Sequence, residues 1–474
     1  MSRPNILLIH CHDLGRHLGC YGVDSVVSPH LDALAAQGVR ATNMFAAAPQ
    51  CSPSRAALFT GRWPHANGVM GLTHRSFAWD LHPEEKHLAQ LLRAGGYRSE
   101  LIGVHHESRA ASDEVIAERL GFDRVRTGGL AEVVAERGVE ALHRFARSDE
   151  PFYLQVGFQE PHRLPGHRDE KGVMGFLGDH LSPDTSRGVH VPGYLADDDT
   201  ARAELAELQG AIRAMDAAVG SVLRALDDLD LAEDTITIFT TDHGLALPRA
   251  KCSLYDPGLE IAFIARWPAG GWSGGSSITG ALSNIDVAPT LLEAVGPPAG
   301  PGRTMHGESF AAALAGEQPT IGREHVFAEM TYHDYYDPRR CVRTDELKLI
   351  ANFSSAPGYM DPSQSWRRRC TPREPSYAHE DYHPSLELYD LRNDPWEQHD
   401  LAEDPSHADL LAELSEQLFA WMQQTGDPLL HGPVGNPLAS HTRTLLQAPR
   451  QDGERFGSRP TVVADGPVRE ILDG

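Results

Sequence analysis

Cys51 opens a run, Cys51-Ser52-Pro53-Ser54-Arg55, that reads as the start of a helix over residues 52–60 ended by Gly61. A side chain at a helix N-terminus feels the positive end of the helix dipole, which favours a negatively charged form there. Arg55 adds a fixed cation nearby. Acids and histidines recur together at other points: His12-Asp13-Leu14-Gly15, Gly103-Val104-His105-His106, Gln159-Glu160-Pro161-His162-Arg163 and Thr241-Asp242-His243-Gly244. Imidazole is suited to moving protons near neutral pH. It also suits zinc, manganese, iron and nickel, whereas calcium prefers oxygen ligands. Lys251, in Leu247-Pro248-Arg249-Ala250-Lys251, offers a cation for an anionic group. The chain has 25 histidines. Most read as solvated loop residues, and those above gain their meaning from position.

That position comes from alternating elements. Residues 5–10 form a short apolar run that reads as a buried parallel strand. Residues 29–37 are helical in pattern, with Ser28 as N-cap and Gly38 just past the end. Residues 85–94 read as a further helix ended by Gly95-Gly96, and 98–103 as a strand. Residues 129–147 read as a helix and 152–158 as a strand. Residues 161–200 are rich in Gly, His, Asp and Pro and read as one long surface excursion. A helix over 200–229 precedes a β-branched strand over 235–240. Most of the chemistry-bearing residues therefore lie just beyond a strand. Strands alternating with helices predict an α/β fold with a large, mostly parallel sheet.

After about residue 320 the pattern changes to short strands at 326–330, 341–343, 347–353 and 386–390, then an amphipathic helix over 407–424. The expected organisation is a catalytic α/β domain over 1–320, a C-terminal α+β subdomain built on a short antiparallel sheet over 321–426, and an extended tail over 427–474.

The run at Cys51, with Gly61-Arg62 after it, resembles the Cys-x-Pro-Ser-Arg signature of the type I, formylglycine-dependent sulfatases. The likeness reaches to about residue 425. The stretches 51–72, 157–163, 242–258 and 386–404 look most like the sulfamidase branch of that family. The resemblance implies an alkaline phosphatase-like fold, with the site at the C-terminal ends of the parallel strands. It implies that Cys51 is oxidised to formylglycine by a formylglycine-generating enzyme. The hydrate then offers two geminal hydroxyls, one to attack sulfur and one whose proton loss expels sulfate. It implies a divalent metal at positions His12, Asp13, Asp242 and His243. His106 would hold the nucleophile's hydroxyl and act as base, His162 would protonate the leaving group, and Lys251, with Arg249 as the alternative, would neutralise the sulfuryl charge. The rim candidates for substrate are His74, His105, His167, His333 and Arg340.

The sequence departs from the family pattern in places. Sulfatases usually carry Asp-Asp-x-Gly where this chain has His12-Asp13, and Asp-Asn-Gly where it has Asp242-His243. The usual lysine before the histidine is Val104 here, a gap that His105 could partly fill. Calcium is the family's metal, and His12 and His243 bring manganese or zinc into consideration. The Asp-His pair also resembles the phosphodiesterases and phosphonate monoester hydrolases of the same superfamily, which stand as the alternative to a sulfate ester or sulfamate substrate.

Composition bounds the partners. Lys plus Arg is 42 and Asp plus Glu is 66 among 474 residues, a net charge of −24. An acidic surface of that size repels phosphate backbones, so no nucleic-acid partner is expected. No apolar run approaches the roughly 20 residues of a membrane span. No signal-like run opens the chain, so a cytoplasmic location is expected. The six cysteines are too scattered for a disulfide framework. The expected substrate is a small sulfated anion, a sugar first among the candidates. The tail is a candidate for packing across a homo-oligomer interface.

Overall fold

The structure is a computed structural model. It describes residues 3–74, 77–165, 174–178, 180–296, 304–317, 323–358, 360, 370–373 and 382–447. In chain order the strands are β1 Asn5–Cys11, β2 Val39–Phe45, β3 Arg98–Gly103, β4 Arg124–Thr127, β5 Phe152–Gly157, β6 Leu164–Pro165, β7 Met174–Gly175, β8 Thr235–Thr241, β9 Glu260–Ile261, β10 Phe263–Arg266, β11 Ser276–Ser283, β12 Val326–Tyr332, β13 Tyr336–Arg343, β14 Leu347–Asn352 and β15 Leu386–Asp390. The helices are α1 Pro29–Gln37, α2 Cys51–Thr60, α3 Pro64–Asn67, α4 Leu88–Ala94, α5 Asp113–Leu120, α6 Ala131–Phe145, α7 Asp199–Asp228, α8 Asp256–Leu259, α9 Val287–Val295, α10 Ala311–Leu314, α11 Ala408–Thr425 and α12 Pro437–Gln447.

A nine-stranded sheet in the order β11-β2-β10-β8-β1-β5-β3-β4, with β9 beside β2, forms the body. It is parallel except at β9 and β10. β1 sits near the middle, and its side chains are divided between two cores. Leu7 and Ile9 pack with α1, α6 and α7 on one face, and Ile6 and Leu8 with α2, α4 and α9 on the other. A strand buried on both faces has no polar side, which is why 5–10 reads as a continuous apolar run.

The small sheet has the order β12-β13-β14-β15, all antiparallel. One face joins a core with Cys252, Leu254 and Tyr255 from the loop after β8, and the other is covered by Leu414, Leu418, Trp421 and Met422 of α11. Charge ties the two sheets together as well. Asp256 accepts from Arg343 Nη2 at 2.9 Å and Lys348 Nζ at 2.5 Å, and Lys348 Nζ also reaches Glu397 Oε1 at 2.7 Å.

The structure corrects the expected boundaries in places. The helix expected over 85–94 begins at Leu88, because His87 accepts from the Ala89 amide while its own amide is bonded by the Gln90 side chain. β13 starts at Tyr336, five positions before the expected strand at 341, since Asp337, Arg339 and Arg340 are buried in ion pairs and leave no apolar alternation to read. The excursion over 161–200 carries β6 and β7 and buries Phe176, Leu177, Tyr194 and Leu195. The tail is not wholly extended: residues 437–447 form α12, whose first turn is capped by Asn436 accepting from the Leu438 amide. No helix among the described residues is long and apolar enough to cross a membrane.

Candidate active site

The register of the large sheet assembles the centre. Cys11 of β1 pairs with Thr241 of β8, so His12-Asp13 and Asp242-His243 leave neighbouring parallel strands side by side. Asp13 turns with φ 50°, a left-handed conformation that a short acid tolerates and few other residues adopt. The turn is fixed by the Asp13 amide donating to Asp242 Oδ1 at 3.0 Å. The His243 amide donates to the same oxygen at 2.9 Å. Gly244 is required next: a Cβ there would lie 1.8 Å from the Pro257 carbonyl oxygen.

α2 brings Cys51 to this place as its first residue. Every residue of α2 is buried. Ser54 Oγ donates to the Asp242 carbonyl at 2.5 Å, and Asn284 Nδ2 donates to Ser54 Oγ at 2.9 Å. Cys51 Sγ lies 3.3 Å from His243 Nε2. Burial pushes the Cys51 thiol up to about 12, against the opposing pull of Lys251. The unmodified side chain is therefore a neutral thiol and a poor nucleophile at neutral pH.

Arg55 reaches Asp242 Oδ2 through Nε at 3.3 Å and Nη2 at 3.2 Å, donates from Nη2 to the Cys11 carbonyl at 3.1 Å, and meets His10 Nδ1 through Nη1. Its charge thus bears mainly on the Asp242 carboxylate, where the sequence placed it beside the nucleophile. Burial alone would raise Asp242, but His243, Arg55 and His12 hold it well below the usual carboxylate range. Asp13 is held low against burial by Lys251, whose Nζ lies 2.9 Å from both of its oxygens. The same pairing holds the Lys251 ammonium charged in spite of burial.

The loops after β3 and β5 complete the ring. His106 lies with its ring centroid 5.0 Å from that of His12, and its Nδ1 is buried without a hydrogen-bond partner. Thr73 Oγ1 donates to the His106 carbonyl at 3.1 Å and its amide donates to Ser52 Oγ at 3.2 Å, which ties this loop to α2. His162 Nδ1 donates to the Arg163 carbonyl at 2.7 Å, and its Nε2 faces Asp13 Oδ2 at 3.6 Å. Burial lowers His162 to about 4 even though Asp13 opposes it. Cys51, Arg55, His106, His162, Lys251, His12, Asp13, Asp242 and His243 thus meet at one end of the sheet.

The rim candidates fare unevenly. His74 stacks on His106 with centroids 5.6 Å apart. His333 lies 3.6 Å from Asp334, whose carboxyl feels Lys251. His105 is turned to the backbone of Ala110 and Ser108, and burial lowers it to about 4, so it does not replace the missing lysine as a cation. His167 lies outside the described residues. Arg340 is not at the rim at all. It is fully buried, with Nε 2.5 Å from Asp427 Oδ2 and Nη2 3.4 Å from Glu329 Oε2. Sequence reasoning missed His10 and Asn284, the residues that brace Arg55 and Ser54. His10 was visible as a polar residue inside an apolar strand; Asn284 gave no signal.

The Arg340 correction is testable. Arg340→Met is expected to cost about 3–5 kcal/mol in urea unfolding, because it leaves the buried Asp427 carboxylate without its cation, with KM unchanged. Burial would raise Asp427, but Arg340 holds it below the usual range. The pair's contribution is therefore full above the unfolded value near pH 4 and is lost as pH falls through the lower folded value. The variant should lack that acid-dependent step.

The sulfatase family profile matches residues 4–297, and the profile of the C-terminal part of N-sulphoglucosamine sulphohydrolase matches 247–360. The chain is 31% identical to human N-sulphoglucosamine sulphohydrolase over 92% of this chain and 93% of that one. It is 29% identical to an ulvan-active sulfatase of Formosa agariphila over 90% of this chain and 76% of that protein. It is 30% identical to human arylsulfatase A over 84% and 83%. Among solved structures, a protein in complex with its substrate D-glucosamine-2-N,6-O-disulfate superposes with a TM-score of 0.64 at 17% identity, over 91% of this chain and 99% of that one. A 2-O glycosaminoglycan sulfatase superposes with a TM-score of 0.66 at 22% identity, over 92% and 96%.

Proposed function

The chain belongs to the sulfatase family of sulfuric ester hydrolases, and from that premise we propose that it cleaves a sulfate ester or sulfamate on a small sugar. The observation that carries the reading is the meeting of Cys51, at the start of α2, with paired carboxylates, imidazoles and Lys251 at the C-terminal ends of β1 and β8. The relatives named for N-sulphoglucosamine and glycosaminoglycan sulfate support a sugar.

In this reading Cys51 is carried as formylglycine, whose hydrate supplies the attacking hydroxyl. His12, Asp13, Asp242 and His243 would hold a divalent metal, which would supply Lewis-acid stabilisation of the transferring group. The donor set fits such a cation. Among the described residues, ligand atoms of His12, Asp13, Cys51 and Asp242 lie within 4.8 Å of one another, all buried, and His12 Nε2 is a buried nitrogen without a partner.

The chain's own residues then divide the work. Lys251 neutralises charge on the transferring group and excludes a neutral substrate. Arg55 keeps Asp242 ionised and aimed. His162 donates a proton to the departing oxygen or nitrogen as its bond to sulfur breaks. The anionic sulfate brings the negative charge that raises His162 from its low value. His106, whose Nδ1 has an unused lone pair or proton, takes the proton whose loss releases sulfate.

The test is release of inorganic sulfate from N-sulfoglucosamine, an O-sulfated sugar and an aryl sulfate. A phosphodiester and a phosphonate monoester are followed for hydrolysis in parallel. Sulfate release from a sugar is the expected result. Turnover of the phosphorus esters alone would move the chain to the alternative chemistry on the same scaffold.

A further inference from the structure

His12 and His243 are the unusual members of the metal set, and both rings are buried at the cluster. His243 Nδ1 lies 3.0 Å from the Gly244 carbonyl. A carbonyl only accepts, so Nδ1 carries the proton and the lone pair is on Nε2. That Nε2 sits 3.3 Å from Asp13 Oδ1 and 3.3 Å from Cys51 Sγ, inside the cluster. His12 Nδ1 lies 3.0 Å from Asp242 Oδ2 without making a hydrogen bond, so neither nitrogen of this buried ring is committed and a lone pair is available to the cluster. His12 Nε2 is buried and has no partner. An imidazole backed by oxygen on one nitrogen, with the lone pair of the other exposed to a cluster of ligands, is how metal-binding histidines are held, and His243 has that arrangement.

The oxygen donors are in the opposite condition. Both oxygens of Asp13 are engaged by Lys251, and Asp242 accepts from Arg55 and from the amides of Asp13 and His243. Calcium wants six to eight oxygen ligands. This site holds back its oxygens and offers nitrogens.

We propose that the metal held between the ends of β1 and β8 is a first-row transition ion of the manganese, iron or zinc class, bound through His12 and through His243 Nε2 beside Asp13 and Asp242, and that the site discriminates against calcium. The inference rests on the sulfatase reading, which calls for a divalent cation here.

The experiment is a competition read by metal content. Full-length protein is stripped with a chelator, equilibrated with equal free calcium, manganese and zinc, separated from free metal and analysed for elements. Manganese or zinc near one equivalent, with calcium at trace, is expected. Calcium in preference overturns the proposal. His12→Asp replaces nitrogen with oxygen and should shift the bound-metal ratio measurably toward calcium, which takes oxygen ligands where imidazole suits the transition ions. An unchanged ratio in a folded variant also overturns it. A measurement needing no variant guards against misfolding. Wild type loaded with cobalt(II) should show strongly shifted, exchangeable ring N–H proton NMR signals from both histidines, that of His243 from Nδ1–H, and their absence counts against the assignment. Sulfate release is assayed separately. Calcium binding together with sulfate release overturns the metal inference alone. Manganese or zinc binding with no sulfate from any substrate overturns the sulfatase reading alone.

Discussion

Cys51→Ala is expected to lower sulfate release by about 10⁴-fold or more, as removal of a covalent nucleophile does in other hydrolases, while leaving the fold and the metal site in place. The side chain is small and sits at a helix start whose position is set by Ser54, Asn284 and Asp242 rather than by the thiol. Loss of the sulfur therefore removes chemistry without unseating α2. Cys51→Ser separates the nucleophile from its oxidation. A serine hydroxyl in the same place could accept a sulfuryl group but has no second hydroxyl to expel it, so a single slow turnover is expected. Rapid-quench measurement of the first turnover against steady-state sulfate release distinguishes the variants. Steady turnover by Cys51→Ala would remove Cys51 from the mechanism.

His162→Ala carries the second large effect. Loss of a general acid lowers the rate by roughly 10²–10⁴-fold, and the loss depends on the leaving group. A sugar alkoxide or amine needs a proton as its bond to sulfur breaks; an acidic phenol does not. The variant is expected to lose most of its activity on a sugar sulfate and little on an aryl sulfate with an acidic phenol. His162 Nε2 also faces Asp13 at 3.6 Å, so metal content is measured alongside. Equal losses on both substrates, at unchanged metal content, would assign His162 to binding sulfate instead of protonating the leaving group.

Much of this site is legible in the amino-acid sequence, for a physical reason. Parallel strands buried on both faces are written as apolar runs, and the loops that leave their C-terminal ends converge. His12-Asp13 after β1, His106 after β3, His162 after β5 and Asp242-His243 after β8 therefore share a place once the strands are recognised. What fails to show is written in charge. β13 holds Asp337, Arg339, Arg340 and Arg343, all buried. A buried arginine whose partner is 87 positions away, as Asp427 is from Arg340, looks in sequence like a solvent-facing binding residue. Likewise His105 and His106 are neighbours, and only the backbone of the 108–110 loop shows that they face different ways. The reach of Arg55 to Asp242 stays hidden because it depends on how α2 lies across the sheet.

The ion pairs at Asp256 have a consequence for how such a protein can change over generations. Lys251 and Asp256 ride on one short loop, and that loop is seated on Arg343 and Lys348 of the small sheet. The match to the C-terminal profile begins at residue 247, inside the loop, well before the small sheet itself. Residues 247–297 fall within both profiles, so Lys251 and Asp256 lie where the two parts of the chain overlap. Recombination at the visible boundary near residue 320 would leave Asp256 bereft of both its bases. A chimera joined there is therefore expected to need Arg343 and Lys348, or equivalent cations, brought in with Asp256.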